Sequence, residues 1–278
     1  VSEPVQIDVR RIIAGKSPAL LRVLPPVVIR LLERIIHSRD LNRGLRLLHD
    51  YSGVEFARQT LLLLGARVET IGEEHVSSVK RPLVVANHPL GGLDGLALID
   101  VVGRHHELVV LPVNDLLMNI PQLRPVFVPI NKHGSNRAYR EKFDLAFAEA
   151  DAVVHFPAGL CSRRKGDRIR DLDWQKSFVP RARQTERTIV PTHVEGANSR
   201  FFYNLARLRR WTGLRANIEM IFLVHEMFRQ RGRTIRITFG RPVSAGELPS
   251  DMDPWMIARM LKSHVYRLSE DPDAVFSP

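Results

Sequence analysis

The sequence predicts an α/β protein, with a largely parallel sheet flanked by helices and a helical N-terminal extension. Three observations carry this. From residue 66 onward, short β-rich apolar runs alternate with helical stretches, the signature of strand–helix–strand units. Before residue 66, apolar residues instead recur at helical spacing with arginines between them. The chain has 278 residues, 44% of them hydrophobic, which is enough to bury a sizeable core.

In chain order, Ser17 to Ile36 is rich in Leu, Val and Ile, and Pro25-Pro26 must divide it, because proline removes a donor and restricts the residue before it. Helical spacing continues through Leu41, Leu45 and Leu48, and Gly53 to Leu64 forms a further helix ended at Gly65. Strands are expected at Arg67 to Ile71, Leu83 to Ala86, Leu108 to Leu111, Val126 to Val128, Ala152 to Phe156, Thr188 to Thr192, Ile218 to Leu223 and Thr234 to Phe239. Helices are expected at Leu93 to Val102, Ser135 to Ala150, Trp174 to Thr185, Asn204 to Trp211 and Pro254 to Leu268. The organisation that follows is a helical N-terminal extension over residues 1–65 and one α/β catalytic domain over residues 66–278.

Composition narrows the partners. Lys+Arg 41 against Asp+Glu 30 leaves a formal charge of +11, which suits an anionic partner: nucleic acid, an acidic carrier protein or a membrane surface. No helix-turn-helix, zinc-finger or RNA-recognition-motif pattern accompanies that charge, so nucleic acid is not expected. A single cysteine, Cys161, excludes an internal disulfide framework and a zinc site built from several thiolates. No apolar run reaches the roughly 18 residues of a spanning helix. The first residues also lack the order of a secretory leader. A soluble or surface-bound protein, not an integral one, is therefore expected.

The densest local signal is Val84-Val85-Ala86-Asn87-His88-Pro89-Leu90-Gly91-Gly92-Leu93-Asp94-Gly95. A buried strand enters a glycine-rich turn and then a helix, at the kind of strand end where open α/β sheets place their sites. A histidine held by a nearby carboxylate is a competent general base; here the pair would be His88 and Asp94. Asp94 would serve equally as a helix N-cap. A second strand and turn, Val153 to Arg164, carries Phe156-Pro157-Ala158-Gly159-Leu160-Cys161-Ser162-Arg163-Arg164. A third piece is the apolar run Ile189-Val190-Pro191. Cys161 could form a thiol–imidazole pair with His88 or His155.

In order and spacing, these blocks resemble the lysophospholipid (glycerolipid) acyltransferase superfamily over roughly residues 65–245. Asn87, His88 and Asp94 match its first block, Phe156, Pro157, Gly159, Ser162 and Arg163 its third, and Ile189 to Pro191 its fourth. The departures are specific. Five residues, Pro89 to Leu93, separate His88 from Asp94, one more than the family pattern. Ala158 stands where the family has Glu, and Val126 to Ile130 is followed by Asn131 and Lys132 rather than Arg. In the family that Glu and Arg are associated with a phosphate-bearing acceptor. The variant blocks look more like the branch that O-acylates lyso-aminolipids of the lyso-ornithine type.

The resemblance implies acyl transfer from a thioester, on acyl carrier protein or coenzyme A, to the hydroxyl of a lyso-lipid. No metal and no cofactor beyond that co-substrate are implied. His88 would be the base and Asp94 its support. Asn87, Lys132, Phe156, Pro157, Gly159, Ser162, Arg163, Asn198 and Arg200 would line the substrate site, with backbone amides of the 156–162 turn facing the oxyanion. The implied setting is the cytoplasmic face of the inner membrane. The N-terminal helices, with Arg22, Arg30, Arg34 and Arg39, would meet anionic lipid there, and so would a second patch at Phe201 to Arg215. The alternatives are a lysophosphatidic acid acyltransferase and a non-catalytic lipid- or nucleic-acid-binding protein.

Overall fold

The structure, a computed structural model, describes residues 6–130, 137–214 and 217–278. Five helices come first: α1 (Val9–Lys16), α2 (Pro18–Val23), α3 (Pro26–Ile35), α4 (Ser38–Leu47) and α5 (Gly53–Leu63). The Pro25-Pro26 break falls between α2 and α3, and Pro26 takes the first helical position of α3, where its missing N–H costs nothing. Strands and helices then alternate: β1 (Arg67–Ile71), α6 (Glu74–Ser77), β2 (Pro82–Ala86), α7 (Gly92–Val102), β3 (Val109–Asn114), β4 (Phe127–Ile130), α8 (Arg137–Glu149) and β5 (Ala152–His155). A charged hairpin follows, β6 (Arg163–Lys165) and β7 (Arg168–Arg170), then α9 (Phe178–Gln184) and β8 (Thr188–Val194). The chain closes with α10 (Arg200–Trp211), α11 (Leu223–Arg229), β9 (Thr234–Phe239), β10 (Val243–Ser244) and α12 (Pro254–Arg267).

The main sheet runs β1-β9-β8-β2-β5-β3-β4, with β10 on β8. It is mostly parallel; the β8–β9 and β10–β8 pairs are antiparallel. Every residue of β2 is buried, as expected for a central strand covered on both faces. Its alternate side chains enter two cores. Val84 and Ala86 pack with Phe56, Leu61, Leu93 and Leu98 of α5 and α7, and Leu83 and Val85 pack with Phe147, Phe178 and Leu261 of α8, α9 and α12. Helix α5 thus contributes to the same buried cluster as the sheet.

Register places the site. Val85 pairs with His155 and Ala86 with Thr192, so β2, β5 and β8 end nearly level. The turns that leave β2 and β5 therefore emerge side by side at the carboxyl edge of the sheet.

The structure corrects one expected strand. Residues 218–223 are helical: a 3-10 turn over Ile218–Phe222 leads into α11. The reason is Glu219, buried in the middle of this apolar run and paired with Arg163 and Arg209, while Met220, Phe222 and Leu223 pack on Cys161, Phe202 and Tyr203. Trp174 lies ahead of α9 rather than inside it, because its indole N–H donates to Asp171 at 2.8 Å. Helix α10 begins at Arg200, earlier than expected, with Ser199 as its N-cap accepting from the Phe202 N–H.

Candidate active site

The turn after β2 is fastened before it bends. The Asn87 amide makes two bonds to Val194 of β8: Nδ2 donates to its carbonyl at 2.9 Å and Oδ1 accepts its N–H at 2.7 Å. Both copy a strand ladder, so the sheet continues one residue past β2 on a side chain. Gly91 then adopts φ +81°, and a Cβ there would stand 3.0 Å from Leu223 and 3.2 Å from the Cys161 sulfur. The positive φ favours glycine here, and any larger residue would also press on Leu223 and Cys161.

This bend brings His88 onto Asp94. The imidazole Nδ1 lies 3.0 Å from Asp94 Oδ1, with Asp94 fully buried at the start of α7. The contact forms across all five residues, Pro89 to Leu93, that separate the two. Asp94 is held in place by two N–H donors, Leu90 on Oδ2 at 2.9 Å and Gly95 on Oδ1 at 3.0 Å. Asp94 is thus not the N-cap, a place taken by Gly91; its carboxylate ties the Leu90 turn to the first turn of α7 and faces His88 at once. The ring of Phe156 stacks on the imidazole at 4.1 Å, and the Cys161 thiol lies within its hydrogen-bonding reach. Burial alone would lower the pKa of His88. The charge of Asp94, its contact and the Cys161 contact outweigh that and hold the imidazole well above its ordinary value.

The turn after β5 is locked against the His88 turn. The Ser162 N–H donates to the His88 carbonyl at 2.8 Å, and the Ser162 hydroxyl donates to Asp171 at 2.6 Å. Pro157 is buried and its carbonyl accepts the Gln175 N–H. Gly159 has φ +61°, and its N–H donates to the Phe156 carbonyl. The N–H groups of Gly159 and Ser162 thus have partners inside the protein. Arg163 is 3% exposed; its guanidinium donates to the Cys161 carbonyl at 2.7 Å and pairs with Glu219 at 2.8 Å. It shapes the turn from behind.

Asn198 is buried beside the same loop, its Nδ2 donating to the Pro89 carbonyl at 3.0 Å and its N–H to the Tyr203 hydroxyl. Ser199 is gripped by Glu226 of α11 through its N–H and its hydroxyl. Arg200 is exposed at the first turn of α10. Lys132 and Arg215 lie outside the described residues. The structure therefore brings together Asn87, His88, Asp94, Phe156, Ser162, Arg163 and Asn198. Sequence reasoning missed Asp171, which joins the two turns, and Glu219, which holds Arg163.

A largely parallel α/β sheet with a His–Asp contact at its carboxyl edge has the make-up of an enzyme that activates a nucleophile with a base. Comparison narrows the class. A family model described as "Acyltransferase" matches residues 11–274, and the chain belongs to that family: it is an acyltransferase. It is 40% identical over 264 residues, 94% of this chain and 97% of the relative, to a protein of Bacteroides thetaiotaomicron named lyso-glycine lipid O-acyltransferase. It is 39% identical over the same share of this chain, and 95% of the relative, to the protein of that name from Phocaeicola vulgatus. Among solved structures, the 1-acyl-sn-glycerophosphate acyltransferase PlsC of Thermotoga maritima matches with a TM-score of 0.49 and 16% identity, over 97% of this chain and 95% of that one.

Proposed function

We propose that the protein esterifies the free hydroxyl of a lyso-aminolipid with a fatty acyl group taken from a thioester, and that the head group is glycine. The His88–Asp94 contact carries the chemistry. The names of the two relatives, each about 40% identical, favour glycine over the ornithine head group expected from the motif variant.

In this mechanism neutral His88 takes the proton of the acceptor hydroxyl as the oxygen attacks the thioester carbonyl. Asp94 fixes the imidazole and stabilises the imidazolium that forms. The oxyanion would be met by N–H groups of the 158–161 turn other than that of Gly159, which is already bonded to Phe156. One donor of that kind typically lowers the barrier by about 2.7–4 kcal/mol. The intermediate collapses, the C–S bond breaks, and the thiol leaves with the proton that His88 carried. The products are the diacylated lipid and the free carrier thiol. No covalent enzyme intermediate is required.

Surface chemistry supports the partners. The β6–β7 hairpin directly after the catalytic turns presents Arg164, Lys165 and Arg168 around Gly166-Asp167, which suits an acidic acyl carrier protein as donor. Val23, Val27 and Leu31 on α2 and α3, and Leu208 and Trp211 on α10, are exposed apolar side chains among arginines, the composition of an interfacial membrane contact. Among the described residues no helix is long and apolar enough to cross a membrane. A peripheral position on the cytoplasmic face of the membrane fits these features.

The test is an acceptor and donor panel: purified protein with acyl carrier protein or coenzyme A thioesters, and lyso-glycine lipid, lyso-ornithine lipid or lysophosphatidic acid. The expected result is the highest kcat/KM with lyso-glycine lipid. Preferential use of lysophosphatidic acid would overturn the acceptor assignment, and acylation of none of the three would overturn the function.

A further inference from the structure

The buried carboxylate of Asp171 lies outside the His–Asp pair and outside every block matched in the sequence. It follows β7 and is 1% exposed. Its Oδ1 accepts the His88 N–H at 3.1 Å and the Ser162 hydroxyl at 2.6 Å, and its Oδ2 accepts the Trp174 indole N–H at 2.8 Å. Its own N–H donates to the Tyr266 hydroxyl at 2.7 Å, and Lys262 donates to its carbonyl at 3.0 Å, so α12 holds it from behind. The Ser162 N–H closes the ring by donating to the His88 carbonyl. Both backbone polar groups of His88 are thus committed, one to Asp171 and the other to the residue that Asp171 grips.

We propose that Asp171 is the positioning residue of the acyl-transfer site, setting the His88 turn against the Ser162 turn so that the imidazole meets the acceptor hydroxyl. This rests on the reading of His88 as the base. A base must come within about 2.6–3.2 Å of the proton it removes, and a displacement of about 1 Å can cost on the order of 10²-fold in rate. The direction of the His88 side chain follows from its backbone, and Asp171 fixes that backbone. A purely stabilising carboxylate would need none of these three donors in particular. Here two of the three come from the turns that carry the chemistry. Burial pushes the Asp171 carboxyl up from its ordinary pKa, and the Ser162, Trp174 and His88 donors act against that shift by favouring the charged acceptor.

The test compares kcat and acceptor KM for the full chain and for Asp171→Ala, Asp171→Asn, Asp171→Asn with Trp174→Phe, and His88→Ala, with melting curves for each. Asp171→Ala is expected to lower kcat on the order of 10²-fold with KM unchanged. Asp171→Asn keeps an oxygen for His88 and Ser162 but turns its NH2 toward the Trp174 N–H, so its kcat falls between parent and Asp171→Ala. Trp174→Phe removes that opposed donor and is expected to raise kcat in the Asp171→Asn background. If Asp171→Ala does not fold, the Asn variant and its recovery by Trp174→Phe decide the matter. Parent kcat in Asp171→Ala, a rise in KM that accounts for the loss, or no recovery in the double variant overturns the proposal. His88→Ala separates the two ideas: parent turnover there removes the base itself, whereas an inactive His88→Ala beside a fully active Asp171→Ala removes only the positioning role.

Discussion

Nδ1 of His88 and Oδ1 of Asp94 stand 3.0 Å apart across a glycine turn, His88 in the turn that leaves β2 and Asp94 in the first turn of α7. Asp94 raises the imidazole pKa, and only the unprotonated ring can accept a proton. The kcat/KM of the enzyme is therefore expected to rise with pH and to reach half its plateau above the ordinary imidazole value of 6.5. Asp94→Asn removes the raising charge, so the rise moves to lower pH while the plateau falls. A pH–rate profile at constant ionic strength checks both. The sign for stability is the reverse: the ion pair stabilises the fold fully below about pH 6.5, and that contribution disappears as pH climbs through the folded-state pKa.

Cys161 is buried one residue before Ser162, whose N–H holds the His88 carbonyl, and its thiol helps keep the imidazole pKa up. Direct transfer makes no bond to its sulfur, whereas a route through an acyl-cysteine would depend on it. Cys161→Ala is expected to keep turnover within about tenfold of the parent, since losing a general catalytic group typically costs 10²–10⁴-fold. A loss in that larger range, with an acyl adduct on Cys161 detected by mass spectrometry in the parent, would establish the covalent route.

Glu219 joins Arg163 and Arg209 at 2.8 and 2.9 Å in the interior. Removing one partner of a buried pair leaves the other charge without compensation, which costs about 3–5 kcal/mol. Glu219→Ala is expected to lose stability of that order in urea unfolding. A change below about 1 kcal/mol, the scale of an exposed pair, would show that the cluster is solvated.

Much of this site was legible because its residues are close in sequence. A strand running into Asn87-His88, with Asp94 two residues beyond the glycines, needs only local geometry to become a pair. The Pro25-Pro26 break is equally local. The β6–β7 hairpin had a signal in its two-residue Gly166-Asp167 turn, and the density of charge around it hid the strands. Residues 218–223 read as a strand because a short apolar run does not distinguish strand from buried helix; Glu219 in its middle was the discordant residue. Asp171 was not legible at all. It sits among other acids and bases in Arg170 to Lys176, and only the tertiary fold selects it by bringing His88, Ser162, Trp174 and Tyr266 to it.

The N-terminal helices pose a separable question. Val23 and Val27 are 74% and 69% exposed, beside the half-exposed Leu31. Replacing all three with Ser is expected to weaken sedimentation with anionic vesicles and leave the melting temperature unchanged. Undiminished vesicle binding would assign the membrane contact to another face, and a lowered melting temperature would assign these side chains to packing.

The most direct measurement is turnover of lyso-lipid and acyl thioester by His88→Ala, alongside the parent, in protein shown by circular dichroism to be folded. The account predicts a loss of 10²–10⁴-fold, the range for removal of a general base. Parent-like turnover would contradict it.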